Sequence, residues 1–400
     1  MKLIERPLYL NRLKNLKGSP DIKIITGIRR SGKSKLMQSY MEYIKQFEPE
    51  SNVIYIDYSR LNNESLREYH ALHEYVEQNY KQGTNNYLMI DEVQMCPSFE
   101  IAINSLHSSE NYDIYLTGSN AFMLSSDLAT LFTGRHIEIP IYPFSFKEYC
   151  RYFSRMTDMQ EAFDKYVVEG GLSGSYVYEN TNDKEAYIRE VYNTILTRDL
   201  TEKHKIADAQ VLLHLADYMM DNVSNITSPN GISGVLNANK LPTNHVTIGK
   251  YLGLLCNAFM LYKVDRYDIK GKKYLESLNK YYLADTGIRY AMHGRRNMDW
   301  GRIYENIVYL EFMRRGYQVY IGKLYKKEVD FVVMRGHEKM YVQVSDDISR
   351  EATFNRETEP LLSINDAYPK IIIARTRHEE YDFQGIRILD LANWLLNAEE

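Results

Sequence analysis

The segment Gly27-Ile28-Arg29-Arg30-Ser31-Gly32-Lys33-Ser34 sets two glycines around four other residues and follows them with a lysine and a hydroxyl. Gly27 and Gly32 let the backbone curl so that successive N–H groups point inward at an anion. A helix starting at Lys33 would add its positive end to the same place. Lys33 would then set a point charge between the β- and γ-phosphates of a nucleoside triphosphate, and the Ser34 hydroxyl would ligate Mg²⁺. Ile28, Arg29, Arg30 and Ser31 within the loop, and Lys35 just after it, are further candidate nucleotide contacts. An apolar run ends in a second pair of chemically capable residues, Asp91-Glu92. Asp91 is placed to hold the metal through water, and Glu92 to polarise an attacking water. The next run ends Leu116-Thr117-Gly118-Ser119-Asn120. Asn120 is a candidate for orienting that water or touching the γ-phosphate, while Ser119 is either a nucleotide contact or a helix N-cap. Arg135, in Thr133-Gly134-Arg135, is either a solvated side chain or a finger acting within its own subunit or on a neighbour.

These residues need a scaffold, and the hydropathy pattern supplies one. Short apolar runs at residues 22–26, 53–57, 87–91, 113–117 and 136–140 end at turn residues and alternate with amphipathic stretches such as 35–47 and 66–80. Buried parallel strands separated by helices read this way. The pattern predicts a doubly wound α/β domain over residues 1–155. A strand lies between the glycine-rich loop and Asp91, an insertion that resembles the nucleotide-hydrolysing branch with a catalytic glutamate.

Residues 156–293 read as helices followed by a hairpin. Two helical runs, 232–240 and 246–259, flank a turn at Leu241-Pro242-Thr243, with Thr243 or Asn244 as N-cap of the second. A hairpin at 260–269 and 274–284 follows, turning at Lys270-Gly271-Lys272-Lys273. Helix, turn, helix and basic hairpin predict a winged helix. The patch Lys263, Arg266, Lys270, Lys272, Lys273 and Lys280, and a second at Arg314, Arg315, Lys323, Lys326 and Lys327, would suit phosphate contacts with DNA; a solvated face or a subunit-docking face reads equally from them. Residues 294–400 are again mixed. Glu305 on a helix, Asp330 on a strand and Gln343-Val344-Ser345 on the next follow the order of a restriction-endonuclease-like fold. Gln343 offers a neutral carbonyl in place of a carboxylate, and Ser345 stands where that fold's lysine belongs. A lysine such as Lys323 or Lys339 would have to substitute, so a degenerate nuclease site is the expectation.

Composition sets bounds. At 400 residues, with 44% hydrophobic and 26% charged, the chain is long enough for two or three packed domains and is not disordered. The net charge of −4 carries no global signature of nucleic-acid binding. Cys96, Cys150 and Cys256 are too far apart for a metal knuckle or a disulfide framework. No run approaches a membrane-spanning helix and the first residues lack a leader's apolar run, so no membrane partner and a cytoplasmic location are the default expectations.

Taken together, Ile25 to Ser34, Ile90-Asp91-Glu92-Val93-Gln94, Leu116 to Asn120 and Gly134-Arg135 resemble a family of prokaryotic AAA-type ATPases. Its members are similar to the archaeal ATPases and carry a C-terminal domain of unknown function. Ile141-Tyr142-Pro143-Phe144-Ser145-Phe146-Lys147-Glu148-Tyr149 and Glu169-Gly170-Gly171-Leu172 match further family signatures, although the usual proline is here Ser173. The resemblance implies binding and hydrolysis of ATP to ADP with Mg²⁺, a helical lid, a winged helix and a nuclease-like end. Three uses of the ATPase compete: action on DNA, a slow nucleotide-controlled switch for a protein partner or homo-oligomer, and an ATP-driven nuclease, which Gln343 and Ser345 disfavour.

Overall fold

The computed structural model describes residues 4–118, 132, 134–154, 158–206, 208–294 and 299–397. It divides into two compact units that meet in sequence after residue 141. Ser119 and Asn120 lie outside the described residues.

The first unit is built on strands β1 (Ile22–Thr26), β2 (Asn52–Asp57), β3 (Asn86–Asp91), β4 (Asp113–Thr117) and β5 (His136–Pro140). They form one sheet in the order β2-β3-β4-β1-β5, and every pairing is parallel. All residues of β1 and β3 are buried, as parallel strands covered on both faces must be. Helices α1 (Pro7–Asn15), α2 (Lys33–Phe47), α3 (Tyr69–Gln78) and α4 (Phe99–Ser108) flank the sheet in sequence. Ile24, Leu88, Ile90 and Leu116 from the strands pack with Leu72, Val76, Ile103 and Leu106 from α3 and α4. Each such side chain contributes about 1.5–3 kcal/mol by leaving water. The strand order has a consequence for the site. β4 lies between β1 and β3, so its last residue, Thr117, is flanked by the ends of the strands that lead into the glycine-rich loop and into Asp91-Glu92.

The second unit begins with helices α5 (Phe146–Tyr152), α6 (Met159–Glu169), α7 (Thr181–Thr194), α8 (Ala209–Asp221), α9 (Pro229–Ala238) and α10 (His245–Asn257). Asn244 is the N-cap of α10, its side chain accepting from the Thr247 N–H at 2.9 Å. Ser145 and Glu148 close a capping box on α5. Then come β6 (Leu261–Asp268), β7 (Lys273–Leu283), α11 (Thr286–His293), α12 (Trp300–Arg314), β8 (Gln318–Leu324), β9 (Lys327–Arg335), β10 (Glu338–Ser345), α13 (Glu351–Leu362), β11 (Lys370–Ala374), β12 (Tyr381–Phe383), β13 (Ile386–Asp390) and α14 (Leu391–Leu396). The strands make one eight-stranded sheet, β12-β13-β11-β10-β9-β8-β6-β7. The β6–β7 hairpin joins it by parallel pairing of β6 with β8, so the sheet runs unbroken past residue 294.

The two proline- and glycine-containing signatures lock together in this unit. The Phe144 N–H donates to the Gly171 carbonyl at 2.8 Å, and Tyr166 Oη donates to the Phe144 carbonyl at 2.9 Å. A Cβ on Gly171 would strike the Phe144 backbone, and one on Gly170 would strike the Asp285 carboxyl. Asp285 is the N-cap of α11 and is buried, accepting from the N–H groups of Gly171 and Gly287. Burial pushes its carboxyl up to about 7, against hydrogen bonds from Gly171, Gly287, Leu172 and Ile288 that favour the anion. A carboxyl that holds its proton more tightly folded than unfolded stabilises most below its unfolded pKa, and that stability is lost as pH rises through 7. The full span amounts to about 4 kcal/mol. Denaturant unfolding of wild type and Asp285→Asn between pH 4 and 8 should therefore show the wild-type advantage shrinking as pH rises. An advantage that stays flat or grows would contradict it.

Candidate nucleotide-binding site

The loop after β1 is held open by backbone crowding. Gly27 adopts φ 138°, and a Cβ there would run into the Ile141 carbonyl oxygen. The Ile141 N–H in turn donates to the Thr26 carbonyl at 2.8 Å, fixing the strand ends side by side. Gly32 at φ 99° gives the second turn and stands directly before α2, whose first N–H groups therefore face the loop. Arg30 also adopts a left-handed conformation, φ 66°, and is exposed, while Ile28 is fully buried beneath the loop.

Lys33 lies in the first turn of α2 and is 4% exposed. Its ammonium donates to the Gly27 and Ile28 carbonyl oxygens, both at 2.9 Å. The cation thus lies across the mouth of the loop, held by neutral carbonyl groups that a phosphate oxygen would outcompete for a positive charge. Ser31 is buried with its hydroxyl unpartnered inside the loop, a polar atom ready for a ligand. Arg6, ahead of α1, closes the back of the loop: its guanidinium donates to the Ser31 carbonyl at 3.0 Å and stacks 4.5 Å from the Tyr9 ring.

Asp91 ends β3 and is buried. Burial raises its carboxyl, and hydrogen bonds from Thr117 and Ser34 pull it back toward the anion. Ser34 and Asp91, far apart in sequence, therefore share one point in space. A buried carboxylate beside a hydroxyl, within an otherwise amide-lined loop, fits a hard divalent cation with oxygen ligands. Glu92 follows at φ 56°, a strained turn that breaks the strand and redirects the side chain. Its N–H donates to Thr117 Oγ1 at 3.1 Å, and its carboxylate accepts from Gln94. Thr117 thus braces both acids. The sequence draws attention to Ser119 and Asn120 instead, although the place of Thr117 at the end of a strand between the two motifs is a signal for it. Arg6 had no sequence signal at all.

Arg135 falls elsewhere. Its backbone brackets the start of β5, donating to the Phe132 carbonyl at 2.9 Å and accepting from the Ile22 N–H at 3.0 Å. Ile22 opens β1, whereas the loop follows its end, so Arg135 lies a strand's length away, roughly 15 Å by the rise of an extended chain. Within one chain it does not reach the loop.

The second constellation is assembled in the other unit. Glu305 is buried and accepts from Lys280 at 2.9 Å and Tyr282 at 2.6 Å. Lys280 also pairs with Glu328 at 2.7 Å. The Asp330 N–H donates to Gln343 Oε1 at 2.7 Å, Asp330 Oδ2 accepts from the Val344 N–H at 2.8 Å, and Gln343 donates to Glu357 at 2.8 Å. Burial lifts Asp330 well above the usual carboxylate range, and Glu305 rises for the same reason against the pull of Lys280. Ser345 bonds the Asp347 carbonyl instead. The lysine that pairs with Glu305 is Lys280, from β7. Among the described residues no group of three or more histidine, cysteine or acidic side chains is arranged to hold a metal ion.

Residues 19–150 match the AAA domain family, and residues 160–299 match a domain of unknown function (DUF8612). The loop, Asp91 and the strand order of the first unit all fall within the segment that matches the AAA domain. The chain as a whole belongs to the same family as an uncharacterized protein of Haemophilus influenzae, with which it is 36% identical over 98% of this chain and 99% of that one. A Methanocaldococcus jannaschii protein is 26% identical over 90% of this chain and 82% of its own. The solved Walker-type ATPase of Pyrococcus abyssi is similar over 72% of this chain and 95% of its own, at 16% identity and a TM-score of 0.48. No helix among the described residues is long and apolar enough to cross a membrane.

The crowding at Gly27 can be measured against a neutral control. Gly27→Ala should cost about 2–4 kcal/mol in denaturant unfolding and abolish nucleotide binding. Gly18→Ala, at φ 71° with nothing near its Cβ, should cost about 1 kcal/mol and leave binding intact. Equal losses at the two glycines would refute the close-approach account.

Proposed function

We propose that the first unit binds ATP with Mg²⁺ and hydrolyses it. The observation that carries this is the meeting of Ser34, on the helix after the loop, with Asp91, at the end of β3, beside the Lys33 ammonium and the unpartnered Ser31 hydroxyl. The loop N–H groups and the start of α2 bind the phosphates. Lys33 exchanges its two carbonyl partners for β- and γ-phosphate oxygens. Ser34 and Asp91 would hold the metal, which when bound would supply neutralisation of charge on the phosphate oxygens. Glu92 orients and polarises the attacking water and takes up its proton. Thr117 keeps both acids in register. Asn120 remains the candidate contact to the γ-phosphate, with Ser119 beside it. Arg135 has no part in this chemistry within one chain; a role as a finger would have to be on a neighbouring subunit.

We further propose that the second unit couples the ATPase to DNA. Helices α9 and α10, followed by a hairpin with exposed Lys270, Lys272 and Lys273 at its turn, support a winged-helix reading. The grouping of Glu305, Asp330 and Gln343 supports descent from a restriction-endonuclease-like fold. Lys280 answers the charge of Glu305 from within the chain, which supports a site that no longer cuts.

Phosphate release by wild type, Lys33→Ala and Glu92→Gln tests the enzyme claim. Lys33→Ala should lose both binding and turnover. Glu92→Gln should keep ATP binding and fall at least about 10²-fold in rate. Equal rates in all three would overturn the assignment.

A further inference from the structure

The face of the large sheet that carries α13 is covered unevenly. Leu361 of α13 packs with Val332, Tyr341 and Ile372, on the middle strands. Toward the hairpin the same face turns aromatic. Tyr267 on β6 is paired directly with Tyr274 on β7, and Tyr320 on β8 leans on both, with ring centroids 5.5, 6.2 and 5.0 Å apart. Tyr267 is the buried floor, whereas Tyr274 is 59% exposed at the sheet edge. Lys339 of β10 holds its ammonium 5.0 Å from the Tyr267 ring and 4.9 Å from the rings of Tyr341 and Tyr368. Among the described residues neither Lys272 nor Lys339 forms an ion pair. Two acids close to them are hydrogen-bonded elsewhere: Asp366 accepts from Tyr341 Oη at 2.6 Å, and Asp268 from the Gly271 N–H at 2.9 Å.

From this juxtaposition of Tyr274 and Tyr320 with Lys272 and Lys339 we propose a binding face for single-stranded nucleic acid. It deepens the reading that this unit contacts DNA and rests on it. Bases stack on flat side chains regardless of sequence, and ammonium groups follow the phosphates between them. Duplex DNA keeps its bases stacked inside and has no use for exposed rings. Burial depresses the Lys339 ammonium, with Asp366 opposing and the neighbouring Lys272 adding to the shift, and a phosphate beside the two lysines would favour their charged forms. Tyr274, 59% exposed, leaves most of its surface available to a stacked base.

The test is fluorescence anisotropy of labelled oligothymidine and of a labelled hairpin duplex with the full chain, wild type, Tyr274→Ala, Tyr320→Ala and Lys272→Glu/Lys339→Glu. The wild type should bind the single strand more tightly than the duplex. Tyr274→Ala and Tyr320→Ala should each weaken single-strand binding about tenfold with duplex binding unchanged. The double charge reversal should weaken it further and flatten its salt dependence. Unchanged phosphate release and thermal midpoint in Tyr274→Ala keep the comparison free of unfolding. Duplex bound as tightly as single strand, with both tyrosine variants silent, would overturn the single-strand inference and leave the DNA reading standing. Binding to neither probe would overturn both.

Discussion

A carboxylate buried at the end of β3 has to be compensated, and the first unit is arranged around that requirement. Asp91 accepts from Thr117 on one side and from Ser34 on the other. Those two residues come from β4 and from the helix after β1, so the compensation is available only because β4 is inserted between β1 and β3. The same insertion lets Thr117 take the Glu92 N–H, which a left-handed turn would otherwise leave without a strand partner. Topology, strain and charge are one arrangement here. Removing the hydroxyl at position 117 would disturb both acids at once.

The second unit handles buried charge by different means. Asp285 has no cationic partner at hydrogen-bond distance among the described residues; it is surrounded by backbone N–H groups that glycines alone allow so close. Glu305 is answered by an ammonium and a phenol instead, and the Lys280 ammonium is kept charged because Glu305, Asp330 and Glu328 together outweigh its burial. A lysine that brings its own charge into an acidic cluster neutralises it from within the chain.

How much of this was legible beforehand depended on how local each signal was. The strands of the first unit are legible almost to the residue, because buried parallel strands are continuous apolar runs stopped by turn residues. The loop was legible because its chemistry lies within one short segment. The Asn244 cap and the helix it starts were legible for the same reason. What sequence could not reveal were partnerships made across the fold. Lys280 meets Glu305 only because the hairpin pairs with β8, and β8, interrupted by Gly322 and Lys323, carries no clean strand pattern. Arg6 reaches Ser31 from ahead of a helix that shows nothing unusual. Arg135 lies at the far end of the neighbouring strand, since a parallel strand begins at the opposite end of the sheet from where its partner ends.

Calorimetric titration of ATP into the full chain, with magnesium and with chelator, bears most directly on the pocket formed by the loop, Lys33, Ser34 and Asp91. The account predicts binding at one site per chain, tighter with magnesium, with the magnesium advantage lost in Asp91→Asn. No heat of binding in either condition, or an affinity indifferent to magnesium and to Asp91, would contradict it.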